Sequence, residues 1–291
     1  MFEKPQFLYK YCTADRAIQI LQDQYLYLCP PKDLNDLYEG SLGRMLKYTP
    51  EIGFELRWRQ IRCYAGWDEE ESKSFVRENH DPEEARRNFD YTTDRLRELN
   101  ALSRQHSGII CFSERRDDQR MWGTYGDNHQ GVCIEFVNHG QSSLIERHCL
   151  PVLYSNERLD SSLPELMQED GSLDAGLFAF FCYFRKTLDW ESEREWRILM
   201  LANETQTMES RRMRFSNEDV KRIFVGPRIR EEHLARIGEL SFGESRDWGI
   251  FKLRPNSDLG RTEFEGVESV KSFDDLKYWI PALRTFNDEP N

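Results

Sequence analysis

Long apolar runs are scarce in this chain. The longest, Leu177–Phe184, falls well short of the roughly 20 apolar residues that span a bilayer. Met1–Lys10 holds no apolar stretch of the kind that directs secretion, so a cytoplasmic protein with no membrane partner is expected. Cysteine pairs at CxxC spacing are also missing. Cys12, Cys29, Cys63, Cys111, Cys133, Cys149 and Cys182 are odd in number and scattered. Several lie in apolar runs, where a reduced thiol acts as a small hydrophobe. That pattern argues against a disulfide framework and for a reducing compartment. The six histidines do not fall at metal-ligand spacing with the cysteines. No GxxxxGK[ST] phosphate loop, no GxGxxG after a strand, no HExxH and no GxSxG elbow occurs. Any site must therefore be assembled from segments far apart in the chain.

What is present is a chain of 291 residues with 13% aromatics and a formal net charge of −12. The aromatic content is enough to build a core. The negative field does not favour extended contact with nucleic-acid phosphates. The short basic stretches, Arg57-Trp58-Arg59 with Arg62 and Arg211–Arg214, are each followed closely by acids, and they read as solvated surface.

Phe7–Tyr11 reads as a strand, with Thr13 at an N-cap position before a helix over Ala14–Asp23. A second strand, Tyr25–Leu28, stops at Pro30-Pro31, and Leu34–Gly40 has turn chemistry. Residues 50–106 are rich in Glu, Arg and Asp and carry apolar residues at helical spacing. They predict two or more amphipathic helices broken near Asn79–Pro82, a helical insertion that suits a lid or a protein-binding arm. Strand patterns return at Gly108–Phe112, Gly131–Phe136, Leu150–Tyr154, Glu193–Leu201, Ile223–Val225 and Gly249–Leu253. Helices are expected over Gln119–Tyr125, Leu163–Lys186 and Glu231–Leu240. Strands not regularly alternating with helices favour α+β with a mixed, largely antiparallel sheet. The expected organisation is one α+β domain over 1–260, including the insertion, followed by a polar tail, 261–291.

Four segments carry candidate chemistry. In Trp190–Arg197, a strand would project Glu191, Glu193, Glu195 and Arg197 to one face. Three carboxylates held by a guanidinium suit hydroxyl binding or acid–base work, and equally an exposed strand face with a cross-strand ion pair. Cys111–Glu114 ends a buried strand and supplies Ser113. If residues 119–129 are helical, Trp122, Tyr125 and His129 share a face fit for a flat ligand, although a capping serine and core aromatics explain the same residues. Asn35, Asp36 and Glu39 occupy a turn, and Tyr9-Lys10-Tyr11 lie on the first strand.

Taken in order, Leu8–Tyr11, Asn35–Glu39, Cys111–Glu114, Met121–Gly131 and Trp190–Arg197 resemble a mainly bacterial family of uncharacterised proteins, domain of unknown function 2971. The resemblance covers roughly residues 8–230. Its Asn-Asp-Pro-Phe-Glu turn stands here with Leu37-Tyr38 in place of Pro-Phe. A more distant likeness is to the ADP-ribosyltransferase layout: strand–helix–strand at the start, a strand ending in Phe-Ser, and a late Glu-x-Glu. That likeness implies an ADP-ribosyltransferase-like fold acting on NAD as a substrate, as transferase or glycohydrolase, in a toxin or anti-phage effector. Tyr9, Lys10 or Tyr11 would grip the nucleotide and Ser113 would brace it. Glu195 or Glu193 would hold the nicotinamide ribose, with Asn35, Asp36, Glu39, Trp122, Tyr125, His129 and Arg197 around the ligand. The histidine or arginine usual on the first strand of that layout is absent. Two other expectations stand beside it. One is a non-catalytic sensor or regulator that binds a nucleotide or, through residues 50–106, a protein. The other is a nuclease using Asp36, Glu39 and the late carboxylates around a divalent metal.

Overall fold

A computed structural model describes residues 3–36, 40, 48–79, 81–156, 166, 168, 174–202, 204–243, 246–256 and 261–263. Strand β1 (Phe7–Cys12) leads into helix α1 (Ala14–Asp23). The helix starts where it does because the Thr13 hydroxyl accepts from the Arg16 amide, one of the donors that a helix start leaves unpaired. Gln24, at φ 51°, turns the chain out of α1 into β2 (Tyr25–Tyr27).

The charged region forms three helices: α2 (Pro50–Ala65), α3 (Glu69–Glu78) and α4 (Pro82–His106). Each boundary is written in the sequence. Thr49, Asp68 and Asp81 cap the starts, and Pro50 and Pro82 occupy first-turn positions where no amide hydrogen is needed. At the far end of α4 the buried Arg211 donates to the carbonyls of Gln105, His106, Ser107 and Leu28. A cation there also meets the negative end of the helix dipole.

Strand β3 (Gly108–Ser113), the short α5 (Gln119–Thr124) and β4 (Val132–Val137) follow. Then come α6 (Leu144–His148), the two-residue strands β5 (Leu150–Pro151) and β6 (Leu153–Tyr154), and α7 (Ala175–Tyr183). The helix expected over 163–186 is thus confined, among the described residues, to its aromatic half. Residues β7 (Arg185–Lys186), β8 (Glu195–Met200), β9 (Arg212–Arg214) and β10 (Val220–Val225) precede α8 (Glu231–Ser241). Two short strands, β11 (Phe242–Gly243) and β12 (Arg246–Asp247), lead to β13 (Gly249–Lys252). Most of the expected tail lies outside the described residues.

Seven strands form the main sheet in the order β13-β10-β4-β1-β3-β8-β5. Only β10 and β13 run parallel; every other neighbour pair is antiparallel. The protein is therefore α+β with a mixed, largely antiparallel sheet. One face carries Leu8, Phe112, Ile134, Phe136, Ile198, Ile223 and Ile250, which pack with Ala17, Ile20 and Leu21 of α1 and Leu234 and Ile237 of α8. On the other face, α2, α4 and α7 cover the β3–β8 end through Ile52, Leu56, Phe89, Leu96 and Tyr183. Tyr9, Tyr11, Trp122, Cys133 and Phe224 form a separate aromatic cluster on that face.

Strands β1 and β3 share a single register pair, Tyr9 opposite Ser113. Two residues further on they have parted, and Cys29 pairs with Ile109 instead, through amide–carbonyl bonds of 2.9 and 2.8 Å. The Lys10 ammonium fills part of the gap and donates to the Cys111 carbonyl at 2.9 Å. A side chain thereby satisfies an acceptor that would otherwise sit inside a sheet without a partner.

All seven cysteines are free thiols. Among the described residues no helix is long and apolar enough to cross a membrane.

Candidate functional site

The parting of β1 and β3 opens a cavity of about 330 Å³. Tyr9, Lys10 and Tyr11 line it from β1, Cys111 from β3, and Asp33 and Asn35 from the turn after Pro31. Tyr125 closes one side, and Lys186, Glu193, Glu195 and Arg197 supply the charged wall.

That wall is not the strand face expected from the sequence. Residues Leu188–Glu193 form a 3-10 turn, Arg194 takes a left-handed conformation at φ 44°, and the strand begins only at Glu195. Alternation over 191–197 is therefore broken, and Glu191 is exposed away from this cavity. The kink nevertheless delivers Glu193 beside Glu195. Both reach the same ammonium: Lys186 Nζ lies 2.8 Å from Glu193 Oε2 and 2.9 Å from Glu195 Oε2. Arg197 grips Glu195 with two donors, Nε to Oε1 at 2.7 Å and Nη2 to Oε2 at 2.9 Å. Its Nη1 donates to the Tyr183 carbonyl. The four side chains are all buried, and their formal charges cancel.

The two carboxylates differ in spare capacity. Glu195 receives two donors from Arg197, one from Lys186 and one from the Cys111 thiol. An ionised carboxylate offers about four acceptor positions, so Glu195 is saturated. Burial alone would raise its pKa, but Arg197 and then Lys186 outweigh burial and hold it at about 2. A group so held is a fixed anion and a poor proton acceptor. On Lys186, burial disfavours the charged form, yet Glu195 and Glu193 overcome it and push the ammonium pKa up. Glu193 is less occupied: the Tyr125 hydroxyl donates to Oε1 at 2.7 Å and Lys186 to Oε2. Tyr125 in turn accepts from the Asn35 side-chain amide at 2.6 Å. Burial and the Glu193 charge both raise the Tyr125 pKa, so this phenol stays a hydrogen-bond donor.

Of the residues singled out from the sequence, Tyr9, Lys10, Tyr11, Asn35, Tyr125, Glu193, Glu195 and Arg197 converge on the cavity. Others do not line it. Ser113 is fully buried; its hydroxyl donates to the Glu193 carbonyl at 2.6 Å and accepts from the Arg115 amide, so it braces the kink. Trp122 is also fully buried, stacked edge-on against Tyr11 with its indole N–H on the Arg116 carbonyl. It backs the wall that Tyr11 presents. His129 is not on the helix with Trp122, as expected, because α5 ends at Thr124 and Asp127, Asn128 and His129 all have positive φ. The His129 carbonyl packs onto Gly226, where any Cβ would collide with it, and accepts from the Arg228 amide. Asp36 is buried and does not line the cavity, and Glu39 lies outside the described residues. Among the described residues no group of three His, Cys, Asp or Glu side chains is placed to hold a metal ion.

Lys186 was not anticipated. It stands directly after the aromatic helix, 4.7 Å from the Trp190 ring centroid. A lysine beside an apolar run with carboxylates downstream was the available signal. Cys111 was expected only as part of the strand, and its alternation places it on the cavity face.

No curated protein and no solved structure matches the chain. Residues 121–198, which run from α5 through Tyr125, Lys186 and Glu193 into β8, match the model of a family described as Protein of unknown function (DUF2971), the family to which the sequence segments pointed.

Proposed function

We propose that the cavity binds the ribosyl half of a nucleotide and that the chain is an NAD-consuming transferase or glycohydrolase. The observation that carries this reading is the meeting of Lys10 and Tyr11 with Glu193 and Glu195 around one opening in the sheet. At about 330 Å³ the space lies near the lower end of ligand pockets. It suits one nucleoside unit, with the remainder of a dinucleotide outside. Glu193 keeps acceptor positions for ribose hydroxyls, and its charge would stabilise an oxocarbenium-like ribose as the glycosidic bond breaks. Glu195, saturated by Arg197 and Lys186, holds the wall rather than the ligand.

Incubation with NAD, with nicotinamide release followed by chromatography, tests the proposal. Release that is lost in Glu193→Gln, with folding intact, supports it. No release with or without protein acceptors, together with no NAD binding by calorimetry, overturns it.

The sealing of Glu195 and the burial of Ser113 favour a second reading, a module that binds a nucleotide without chemistry. Saturable NAD or nucleotide binding without turnover would select it.

A further inference from the structure

The turn between β4 and α6 holds a second set of reactive groups, on the far side of β1 from the cavity described above. His139 stands two residues beyond the end of β4. Its Nε2 lies 3.1 Å from Asp219 Oδ1, and its Nδ1 lies 3.3 Å from the Ser142 hydroxyl. Gly140, at φ 101°, makes the reversal that brings Ser142 back over the imidazole, a conformation that side-chain-bearing residues rarely adopt. Asp219 is itself fixed: it is buried, and it accepts from the Leu144 amide at 2.9 Å, the Ser216 amide at 2.8 Å and the Ser216 hydroxyl at 3.0 Å.

In the neutral imidazole, a carboxylate on Nε2 holds the ring proton there and leaves the Nδ1 lone pair facing the serine. A hydroxyl within reach of a base that a third group orients is the arrangement of an activated nucleophile. Ser142 and His139 are both exposed, the His139 side chain by about a quarter. His139, though not Ser142, also lines a cavity of about 500 Å³, in which Phe7, Val137, Val220 and Trp248 form an apolar wall beside the polar Glu218 and Lys221.

We infer that Ser142, His139 and Asp219 form a serine-hydrolase site for a carboxylic ester with a small apolar acyl group. The Ser142 oxygen bonds to the ester carbonyl carbon while its proton moves to His139 Nδ1. The carbon–alkoxy bond then breaks, and the leaving alcohol takes that proton. Water attacks the acyl-serine, gives a proton to Nδ1, and the carboxylic acid departs as the serine recovers its hydrogen. Asp219 holds the imidazole in place throughout.

The test uses the full chain with p-nitrophenyl acetate and p-nitrophenyl butyrate, and a fluorophosphonate probe read by peptide mass spectrometry. The expected result is a burst approaching one p-nitrophenolate per chain and covalent label on Ser142. Ser142→Ala, purified identically, removes both the burst and the label while its melting temperature stays at the parent value. His139→Gln lowers turnover by about 100-fold or more. Label at another residue, no label at all, or ester turnover that survives Ser142→Ala overturns the assignment.

Discussion

Replacing Glu195 with glutamine preserves the side chain's shape and removes its charge, so it isolates what the ion cluster contributes. In the native chain Arg197 and Lys186, both almost wholly buried, each touch this carboxylate at 2.9 Å or less. The variant leaves two buried cations with one carboxylate, Glu193, beside them; in the native chain it bonds Lys186, while Arg197 bonds Glu195 and the Tyr183 carbonyl. Breaking a buried pair from one side costs about 3–5 kcal/mol. The same two cations depress the carboxyl pKa to about 2 from its ordinary 4.5, which corresponds to roughly 3 kcal/mol of folded-state preference for the anion. Because the folded pKa is depressed, this stability is present above about pH 4.5 and is lost as pH falls toward 2. The gap between parent and Glu195→Gln is therefore widest near neutral pH and about 2 kcal/mol smaller at pH 3. Urea unfolding of both proteins at pH 7 and pH 3 measures it, and the melting temperature at pH 7 should drop by roughly 6–10 °C. A variant within 1 kcal/mol of the parent at pH 7, or a gap that widens on acidification, would refute this account of the cluster.

Three further outcomes are expected. Glu193→Gln keeps the Arg197–Glu195 grip and the Lys186–Glu195 contact, so it costs only about 1–2 kcal/mol in urea unfolding, clearly less than Glu195→Gln. Arg211→Lys cannot reproduce donation to three carbonyls at the end of α4 and to that of Leu28. A loss of about 2–4 kcal/mol is expected, with faster hydrogen exchange in residues 103–107 as its local signature. Burial raises the Glu135 pKa against the pull of Arg222, so its ionisation opposes folding as pH rises through that value. Glu135→Gln should therefore gain more stability over the parent at pH 8 than at pH 4, and equal differences at the two pH values would contradict it.

The elements legible in the sequence are those whose ends are fixed by local chemistry. Thr13 before α1, Asp81-Pro82 before α4 and Pro30-Pro31 after β2 act within a few residues, and the helices and strand fall where these signals place them. The α+β class followed from the irregular order of strands and helices. Strand alternation failed at Glu193. The 3-10 turn and the left-handed Arg194 shift the register, and no residue pattern announces them, because the kink is held by distant partners. Ser113 from β3 bonds the Glu193 carbonyl, and the Glu114 amide bonds that of Arg194. His129 was misplaced for a similar reason: the turn that removes it from α5 is locked by Gly226, nearly a hundred positions later in the chain.

The cavity shows why its members were recognisable one by one while its design was not. Tyr9-Lys10-Tyr11 were legible as consecutive residues of the first strand, where alternation turns Lys10 to the face opposite the two tyrosines. Alternation does hold, and Tyr9 and Tyr11 share the face of Glu195 and Arg197. Lys10, however, has somewhere else to go, because β1 leaves β3 after one register pair and the freed Cys111 carbonyl needs a donor. The opening, the lysine in it and the unpaired stretch of β3 are thus one event. A substitution that weakens the split should also weaken ligand capture. Lys10→Met removes the donor without adding bulk, leaving a carbonyl unsatisfied at a cost of about 1–3 kcal/mol. It also withdraws a cation from the cavity. If the cavity holds an anionic nucleotide, calorimetry should show binding at least 10-fold weaker for Lys10→Met, and more salt-sensitive for the parent than for the variant. Equal affinity and equal salt dependence would place the ligand elsewhere, whatever the fate of Glu193→Gln.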